Sequence, residues 1–148
     1  HRESVKFDKI TARIEKLCYG LDPQHVNPVE VAMKVINGLY DGVTTQELDV
    51  LAAEVSATMA TRHPDFSRLP ARIAISNLHK LTSKSFSSTM KRLYQHVDAK
   101  TGQNAPLISK ETWKVIHEHA AELDEAIICD RDFSYDYFGY KKIGRAHV

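Results

Sequence analysis

The helical character of this chain is clearest in residues 44–59, which read TTQELDVLAAEVSATM. Thr44 followed three residues later by Glu47 is a capping-box pattern, in which each side chain can bind the other's backbone amide at the start of a helix. The apolar side chains then recur at intervals of three and four residues, which places them on one side of a helix. They are Leu48, Leu51, Ala52, Val55 and Met59. This segment therefore predicts an amphipathic helix that packs against a core.

The sequence on either side of this segment predicts further amphipathic helices. The first ends at Gly20, because glycine is the residue that most often follows the last helical turn. The second begins with a capping Asn27 and with Pro28, which loses nothing at the first helical position. A later helical segment begins at about Phe66 or at Pro70, and we expect its regular helix to start at Pro70, since proline inside a helix lacks an amide donor. The predicted helices cover residues 7–20, 28–39, 70–80, 82–96, 109–119 and 120–127, with a loop at 97–108.

The charge balance narrows the possible partners. The 148 residues carry 20 Lys and Arg against 19 Asp and Glu, a net charge of +1, so the chain has no broad electropositive field for nucleic acid. No apolar run approaches the roughly 20 residues that a membrane-spanning helix requires. The two cysteines, Cys18 and Cys129, follow no metal or disulfide-framework spacing, which fits a reducing compartment. We expect a cytoplasmic protein that binds neither nucleic acid nor membrane.

The sequence offers no recognisable catalytic or metal-binding group. His117 and His119 are two residues apart, so on a helix they point about 200° away from each other, whereas a helical zinc site places its ligands at i and i+4. Neither cysteine stands beside a His and an acid in the sequence. Cys18 lies on the apolar side of the first predicted helix, where a free Cys behaves as a small hydrophobe. We therefore predict no catalytic residue and no metal ligand.

One polar grouping allows a binding function. Thr45 and Asp49 are four residues apart at the start of a predicted helix, so they share a face close to the positive end of the helix dipole, where free amides can meet a phosphate. Lys80 at the end of a later predicted helix could supply a cation. The alternative is that Thr45 helps to cap the helix, Asp49 complements the dipole and Lys80 is solvated. The pattern of residues leaves both interpretations open.

Aromatic and acidic residues are concentrated near the end of the chain, without a helical period. They occupy residues 129–140, which read CDRDFSYDYFGY. We expect an extended segment here that needs a surface to pack against, and the chain does not obviously provide one. The following residues, 141–148, show no folding pattern, and we expect a non-native or disordered tail.

Several separated motifs together resemble a known family. They are VKFDKI at 5–10, KLCYGL at 16–21, VTT at 43–45, ELD at 47–49, LAAE at 51–54, ARIAISNLHK at 71–80, DRDFSY at 130–135 and YFG at 137–139. In this order they resemble the ATP-cone, and the segment that follows it, of the large subunit of eukaryotic-type class I ribonucleotide reductases. The resemblance runs from about Glu3 to Tyr140.

The resemblance implies a mainly α fold, a helical bundle that lacks most of the β-hairpin lid of an ATP-cone, and an allosteric site. ATP bound there permits activity and dATP inhibits it. By resemblance, Glu3 faces the adenine, Thr45 and Lys80 contact phosphate, and Asp49 sits at the ribose and helps to distinguish ATP from dATP. The residues implied to line the nucleotide are Val5, Lys6, Phe7, Asp8 and Lys9.

The resemblance also implies a division of the chain and a set of partners. Residues 1–80 would be the ATP-cone and residues 81–140 the start of an all-α domain. The catalytic cysteines of such an enzyme would lie beyond Tyr140. The partners would be further copies of the large subunit and a small radical-generating subunit. The alternatives are a stand-alone ATP-cone regulatory module and a helical protein-interaction module that binds no nucleotide.

Overall fold

The computed structural model describes residues 4–145, and within them the chain is helical, without a β-strand. One isolated antiparallel bridge joins Val97 to Asn104. A 3-10 helix covers Cys129–Ser134. The α-helices are α1 (Phe7–Glu15), α2 (Pro28–Asn37), α3 (Thr45–Thr58), α4 (Asp65–Leu81), α5 (Phe86–Tyr94), α6 (Lys110–Glu118), α7 (Ala120–Ala126) and α8 (Tyr137–Arg145). The prediction of a mainly α fold is confirmed. None of the helices in this described range is long and apolar enough to cross a membrane.

The chain divides into two compact units. The first consists of His1–Leu78 and Asp132–Val148, so it combines the first helices with α8. The second consists of His79–Arg131 and contains α5, α6 and α7.

The core of the first unit is built from one apolar side of each of its helices. Ile10 and Ile14 come from α1, Val31 and Val35 from α2, and Ala52 and Ala53 from α3. The largest contribution comes from α4, whose buried apolar residues are Phe66, Leu69, Ala71, Ile73 and Ile75. Burying one large aliphatic or aromatic side chain stabilises a fold by about 1.5–3 kcal/mol. The central position of α4 therefore follows from its sequence.

The predicted capping box of α3 is confirmed. The backbone amide of Glu47 donates to Thr44 Oγ1 at 3.2 Å, and the backbone amide of Thr44 donates to Glu47 Oε2 at 2.8 Å. Asn27 likewise caps α2, because its side chain accepts from the amide of Val29 at 2.9 Å, and Pro28 is the first helical residue. These local signals fix where α2 and α3 begin.

The prediction that a helix starts at Pro70 is wrong. The helix starts at Asp65 and contains Pro70 in its interior. An interior proline costs about 3 kcal/mol, but Phe66 and Leu69 precede it and both are fully buried. Two such side chains stabilise the fold by about 3–6 kcal/mol, so burial outweighs the missing hydrogen bond.

The prediction that residues 129–140 are extended is also wrong. They form the 3-10 helix and the first turn of α8. Tyr137 is 4 % exposed in the core of the first unit, and Phe133 and Tyr140 pack against that core. The surface that this aromatic segment needs is thus present in the chain itself. Helix α8 continues to Arg145, and residues 146–148 lie outside the described range.

In the second unit, the predicted helix at 82–96 is shorter than expected. It begins at Phe86, after a cap in which Ser85 accepts from the amide of Ser88 at 3.0 Å. Asp124 of α7 holds the same turn by accepting from the amide and the hydroxyl of Ser87, each at 2.7 Å. Serine and aspartate compete with helical backbone bonds in this way, which explains the break before α5.

We expect Thr44→Ala to lower the free energy of unfolding by about 1 kcal/mol, the usual effect of losing an N-cap side chain. Thr45→Ala is the matched control. Thr45 is the first helical residue and is exposed, so its loss should change stability by less than about 0.5 kcal/mol. Urea denaturation followed by circular dichroism measures both. Equal losses in the two variants would contradict the role of Thr44 as the cap.

Candidate functional site

A buried ion pair joins α1 to α3. Asp49 Oδ1 accepts from Arg13 Nε at 2.5 Å, and Asp49 Oδ2 accepts from Arg13 Nη2 at 2.7 Å. The Asp49 side chain is 5 % exposed and that of Arg13 is 29 % exposed. Two parallel hydrogen bonds of this kind are stronger and more directional than a single ionic contact. The pair therefore fixes the position of α1 on α3.

The surroundings of this pair are apolar and tightly packed. A cavity of only about 10 Å³ lies beside it, which is roughly the space that one water molecule needs. Its other lining residues are Ile10, Ile14, Leu17, Leu48, Ala52 and Ile73. The Asp49 carboxylate is thus covered by Arg13 and by apolar side chains.

The pair also marks where two polar faces meet. Lys9 lies one turn before Arg13 on α1, so the two cations share a face. Thr45 lies one turn before Asp49 on α3 and shares its face in the same way. The first turn of a helix carries backbone amides without an intrahelical acceptor, and it attracts anions. Through Arg13, the basic face of α1 contacts α3 at Asp49, one turn beyond the first helical residue of α3.

A groove lies between the start of α1 and the end of α2. It has a volume of about 570 Å³ and is lined by Val5, Phe7, Ile36, Leu39, Tyr40 and Asp41. Two aromatic rings and aliphatic walls are suited to a flat apolar ring system, and small-molecule sites have volumes of about 300–1,000 Å³.

Tyr40 connects this groove to the start of α3. Its side chain is hydrogen-bonded to Glu47, which raises the pKa of Tyr40 above its ordinary value. Hydrogen bonds from the amide and hydroxyl of Thr44, with Tyr40 contributing less, hold the pKa of Glu47 below its usual range. The groove and the first turn of α3 are thus neighbours.

The structure brings some of the predicted site residues together. Val5 and Phe7 line the groove, and Lys6, Asp8 and Lys9 are exposed in the same stretch at the start of α1. Thr45 is exposed at the start of α3, whereas Asp49 is buried against Arg13.

The two remaining predicted residues lie outside the part of the first unit that the structure describes. Lys80 is exposed in the last turn of α4 and belongs to the second unit. Glu3 lies outside the described residues.

The sequence analysis did not identify Arg13 or Tyr40. Arg13 lies four residues after Lys9, so a search for a basic helix face could have found it. The partner of Arg13 is 36 residues away in the chain, which no local pattern reveals. Tyr40 lies beyond the end of α2 and has no sequence signal.

Comparison with known proteins identifies the family. Residues 1–81 match the family described as the ATP cone domain. The chain belongs to the ATP-cone family. The matched residues contain α1 to α4, and therefore the groove, the first turn of α3 and the Arg13–Asp49 pair.

The similarity extends beyond the ATP-cone. The chain is 55 % identical over 147 residues to the ribonucleoside-diphosphate reductase large chain of Schizosaccharomyces pombe, covering 99 % of this chain and 18 % of that protein. It is 56 % identical over 147 residues to the large subunit of this reductase from Caenorhabditis elegans, and the match covers 99 % of this chain and 19 % of that protein. It is 52 % identical over 148 residues to the large subunit from Monkeypox virus, and the match covers 100 % of this chain and 19 % of that protein. The chain thus spans about a fifth of the length of these relatives, and it matches their N-terminal part.

Three possible metal ligands lie together in the ATP-cone, although the sequence analysis did not identify them. Asp22 Oδ2 is 2.8 Å from His25 Nδ1 and 3.9 Å from His63 Nε2. The two imidazole rings are stacked with centroids 4.5 Å apart and planes inclined by 14°. A ring nitrogen binds a metal in the plane of its ring, so stacked rings do not direct their lone pairs to one point. This arrangement is a hydrogen-bonded cluster, in which the Gln24 amide and then His25 lower the pKa of Asp22.

The cysteine of the ATP-cone is a packing residue. Cys18 is half-buried against the core, and burial raises its pKa to about 11. At neutral pH the group is therefore a thiol, which is a poor nucleophile and a poor metal ligand.

We expect iodoacetamide to modify Cys18 slowly at pH 8 in the folded chain. The rate should rise as the pH approaches 11, because the thiolate reacts and the thiol does not. The folded state also favours the thiol form of Cys18, and this preference adds to the free energy of unfolding. The contribution is complete at pH values below the ordinary pKa of 9.0, and it is lost as the pH rises past about 11. Mass spectrometry of a Cys129→Ser variant isolates the signal of Cys18. Modification at pH 8 as fast as in the urea-denatured chain would contradict this.

The two halves of the ion pair should respond unequally to mutation. Arg13→Gln removes the cation that donates to both oxygens of the buried Asp49 carboxylate, and we expect a loss of about 3 kcal/mol in the free energy of unfolding. Asp49→Asn leaves a partly exposed guanidinium that can turn to water, so the loss should be about 1 kcal/mol. Urea denaturation of both variants and of the double variant measures the difference. A larger loss for Asp49→Asn than for Arg13→Gln would show that the burial of Asp49 is not decisive.

Proposed function

We propose that this chain is the effector-binding regulatory region of a ribonucleoside-diphosphate reductase large subunit and that ATP and dATP compete for its site. The observation that carries this proposal is that the ATP-cone match covers the aromatic groove and the adjoining first turn of α3. The identity of 51–56 % to reductase large subunits supports the assignment of the region to this enzyme.

The proposed site assigns each part of a nucleotide to a suitable group. The adenine occupies the groove between Phe7 and Tyr40, where aromatic rings can stack on it. The triphosphate binds at the first turn of α3 beside Thr45, because free amides and a hydroxyl suit an anion. Asp49 accepts a hydrogen bond from a ribose hydroxyl.

The remaining contacts of the proposed site come from basic and acidic side chains. Lys6, Lys9 and Lys80 supply positive charge to the phosphates, and Glu3 and Asp8 contact the nucleoside. A single triphosphate requires only a few cations, so the nearly neutral chain is sufficient.

The proposed activity of the region is regulation without chemistry of its own. In the complete enzyme, ribonucleoside diphosphates are reduced to deoxyribonucleotides by cysteines located beyond Tyr140. Bound ATP permits this activity and dATP inhibits it through oligomers of the large subunit. A small radical-generating subunit is the other partner, and the enzyme is cytoplasmic.

We expect isothermal titration to show one site on the chain for which ATP and dATP compete. Lys80→Gln should weaken both affinities at least tenfold, the approximate value of one charge-assisted hydrogen bond to phosphate. Lys114→Gln is the control, because it removes another exposed lysine, outside the ATP-cone match. Equal effects of the two substitutions would contradict the role of Lys80.

A thermal shift assay separates the proposal from its main alternative. An effector at one hundred times its dissociation constant stabilises the folded state by about 2.7 kcal/mol, so ATP should raise the melting temperature clearly. A helical interaction module that binds no nucleotide predicts no shift.

A further inference from the structure

The second unit separates its charges along the chain. Residues 84–110 contain five Lys and Arg and one Asp, whereas residues 111–130 contain six Asp and Glu and one Lys. The basic residues are Lys84, Lys91, Arg92, Lys100 and Lys110, and all five are exposed. Within the described residues 4–145, none of the five forms an ion pair. Their charge is therefore available to an external partner.

A groove lies among these cations at the end of α5. It has a volume of about 540 Å³, which is within the range of ligand sites. Its lining residues are Thr89, Arg92, Leu93, Gln95, His96 and Val97. Leu93 and Val97 give the groove an apolar surface, and Val97 is 51 % exposed. The guanidinium of Arg92 adds a planar set of donors that matches a carboxylate.

The one acidic residue of this segment is engaged in its own turn. Asp98 Oδ1 accepts from the backbone amides of Lys100 at 2.7 Å and Thr101 at 3.1 Å. These two hydrogen bonds hold the pKa of Asp98 below its ordinary value. Asp98 therefore stabilises the turn and leaves Arg92 to other acids.

Backbone hydrogen bonds hold the walls of the groove together. The amide of Leu107 donates to the carbonyl of Leu93 at 3.0 Å, and the amide of Ala105 donates to the carbonyl of His96 at 2.8 Å. The first of these bonds also occupies a carbonyl at the negative end of α5, which would otherwise repel an anion. The groove is thus formed before a ligand arrives, which lowers the entropic cost of binding.

We propose that this groove binds an acidic segment of another protein, in which one large apolar side chain lies between carboxylates. The apolar side chain packs against Leu93 and Val97. A neighbouring carboxylate accepts two parallel hydrogen bonds from Arg92. This interaction lies beyond the proposed function and does not depend on it, because the groove is outside the ATP-cone match.

A long polyanion fits this surface less well than a short acidic segment does. A nucleic acid or an anionic membrane extends past the basic residues to α6 and α7, whose acidic side chains repel it. These acids are Glu111, Glu118, Glu122, Asp124, Glu125 and Asp130. Phosphates also gain nothing from the apolar surface of the groove. The charge pattern and the apolar surface together favour a peptide.

Fluorescence anisotropy with a labelled peptide tests the inference. The probe carries one Leu between two pairs of Glu, and it should bind the full chain with an affinity that falls as salt is added. Replacement of its Leu by Ala should weaken binding about tenfold, the approximate value of burying one aliphatic side chain. Equal binding of the two peptides, or no binding of the first at low salt, overturns the inference.

A charge reversal locates the binding site. Arg92→Glu should weaken binding of the probe at least tenfold, because the carboxylate of the peptide then meets a like charge. Arg68→Glu is the matched control, since it makes the same change at an exposed arginine of α4 in the first unit. Equal losses in the two variants would show that only net charge matters and would overturn the inference. ATP affinity should be the same in Arg92→Glu as in the wild type, so failure here leaves the proposed function intact.

Two measurements on the wild-type chain complete the test. In NMR spectra the peptide should shift the amide signals of Leu93 and Val97 and leave those of Val31 and Val35 in α2 unchanged; the opposite pattern overturns the inference. Sedimentation velocity without nucleotide identifies a competing occupant, the acidic α6 and α7 of a second copy. The chain should sediment as a monomer. Self-association that Arg92→Glu abolishes would assign the groove to a second copy and overturn the inference.

Discussion

The burial of α4 is the constraint on which the first unit depends. Its apolar side, with Phe66 and Leu69 completely buried, packs in the core to which α1, α2 and α3 contribute. This burial is strong enough to keep Pro70 inside the helix. The position of every other helix in the unit, including those that form the groove, follows from contact with the same core.

One polar residue of α4 also binds the segment that follows α1. Arg72 is 5 % exposed, and its Nη1 donates to the carbonyl oxygens of Leu17 at 2.9 Å and Tyr19 at 2.6 Å. Its guanidinium also lies 3.9 Å from the centre of the Tyr19 ring. The carbonyls of Leu17 and Tyr19 belong to the turn that follows α1, where backbone acceptors need a donor from elsewhere in the chain. Arg72 thus holds the turn that follows α1, while Arg13 holds the helix itself.

The sequence predicts what depends on neighbouring residues, and it fails where distant residues decide. The caps at Thr44 and Asn27 were predictable because the interacting atoms lie within three residues. The helical turns around Pro70 were not, since they depend on burial against other helices. Thr45 and Asp49 could be placed on one face by their spacing, but nothing near Asp49 indicates that Arg13 covers it.

The Arg13–Asp49 pair contributes orientation to the contact between α1 and α3 more than it contributes stability. A buried ion pair gives little net stabilisation, because the cost of removing two charges from water is close to the energy of their attraction. The surrounding side chains are apolar, and an apolar pair at the same position would hold α1 on α3 about equally well. A charged pair differs in one respect, since its two parallel hydrogen bonds also fix the direction in which the two side chains, and with them the two helices, meet.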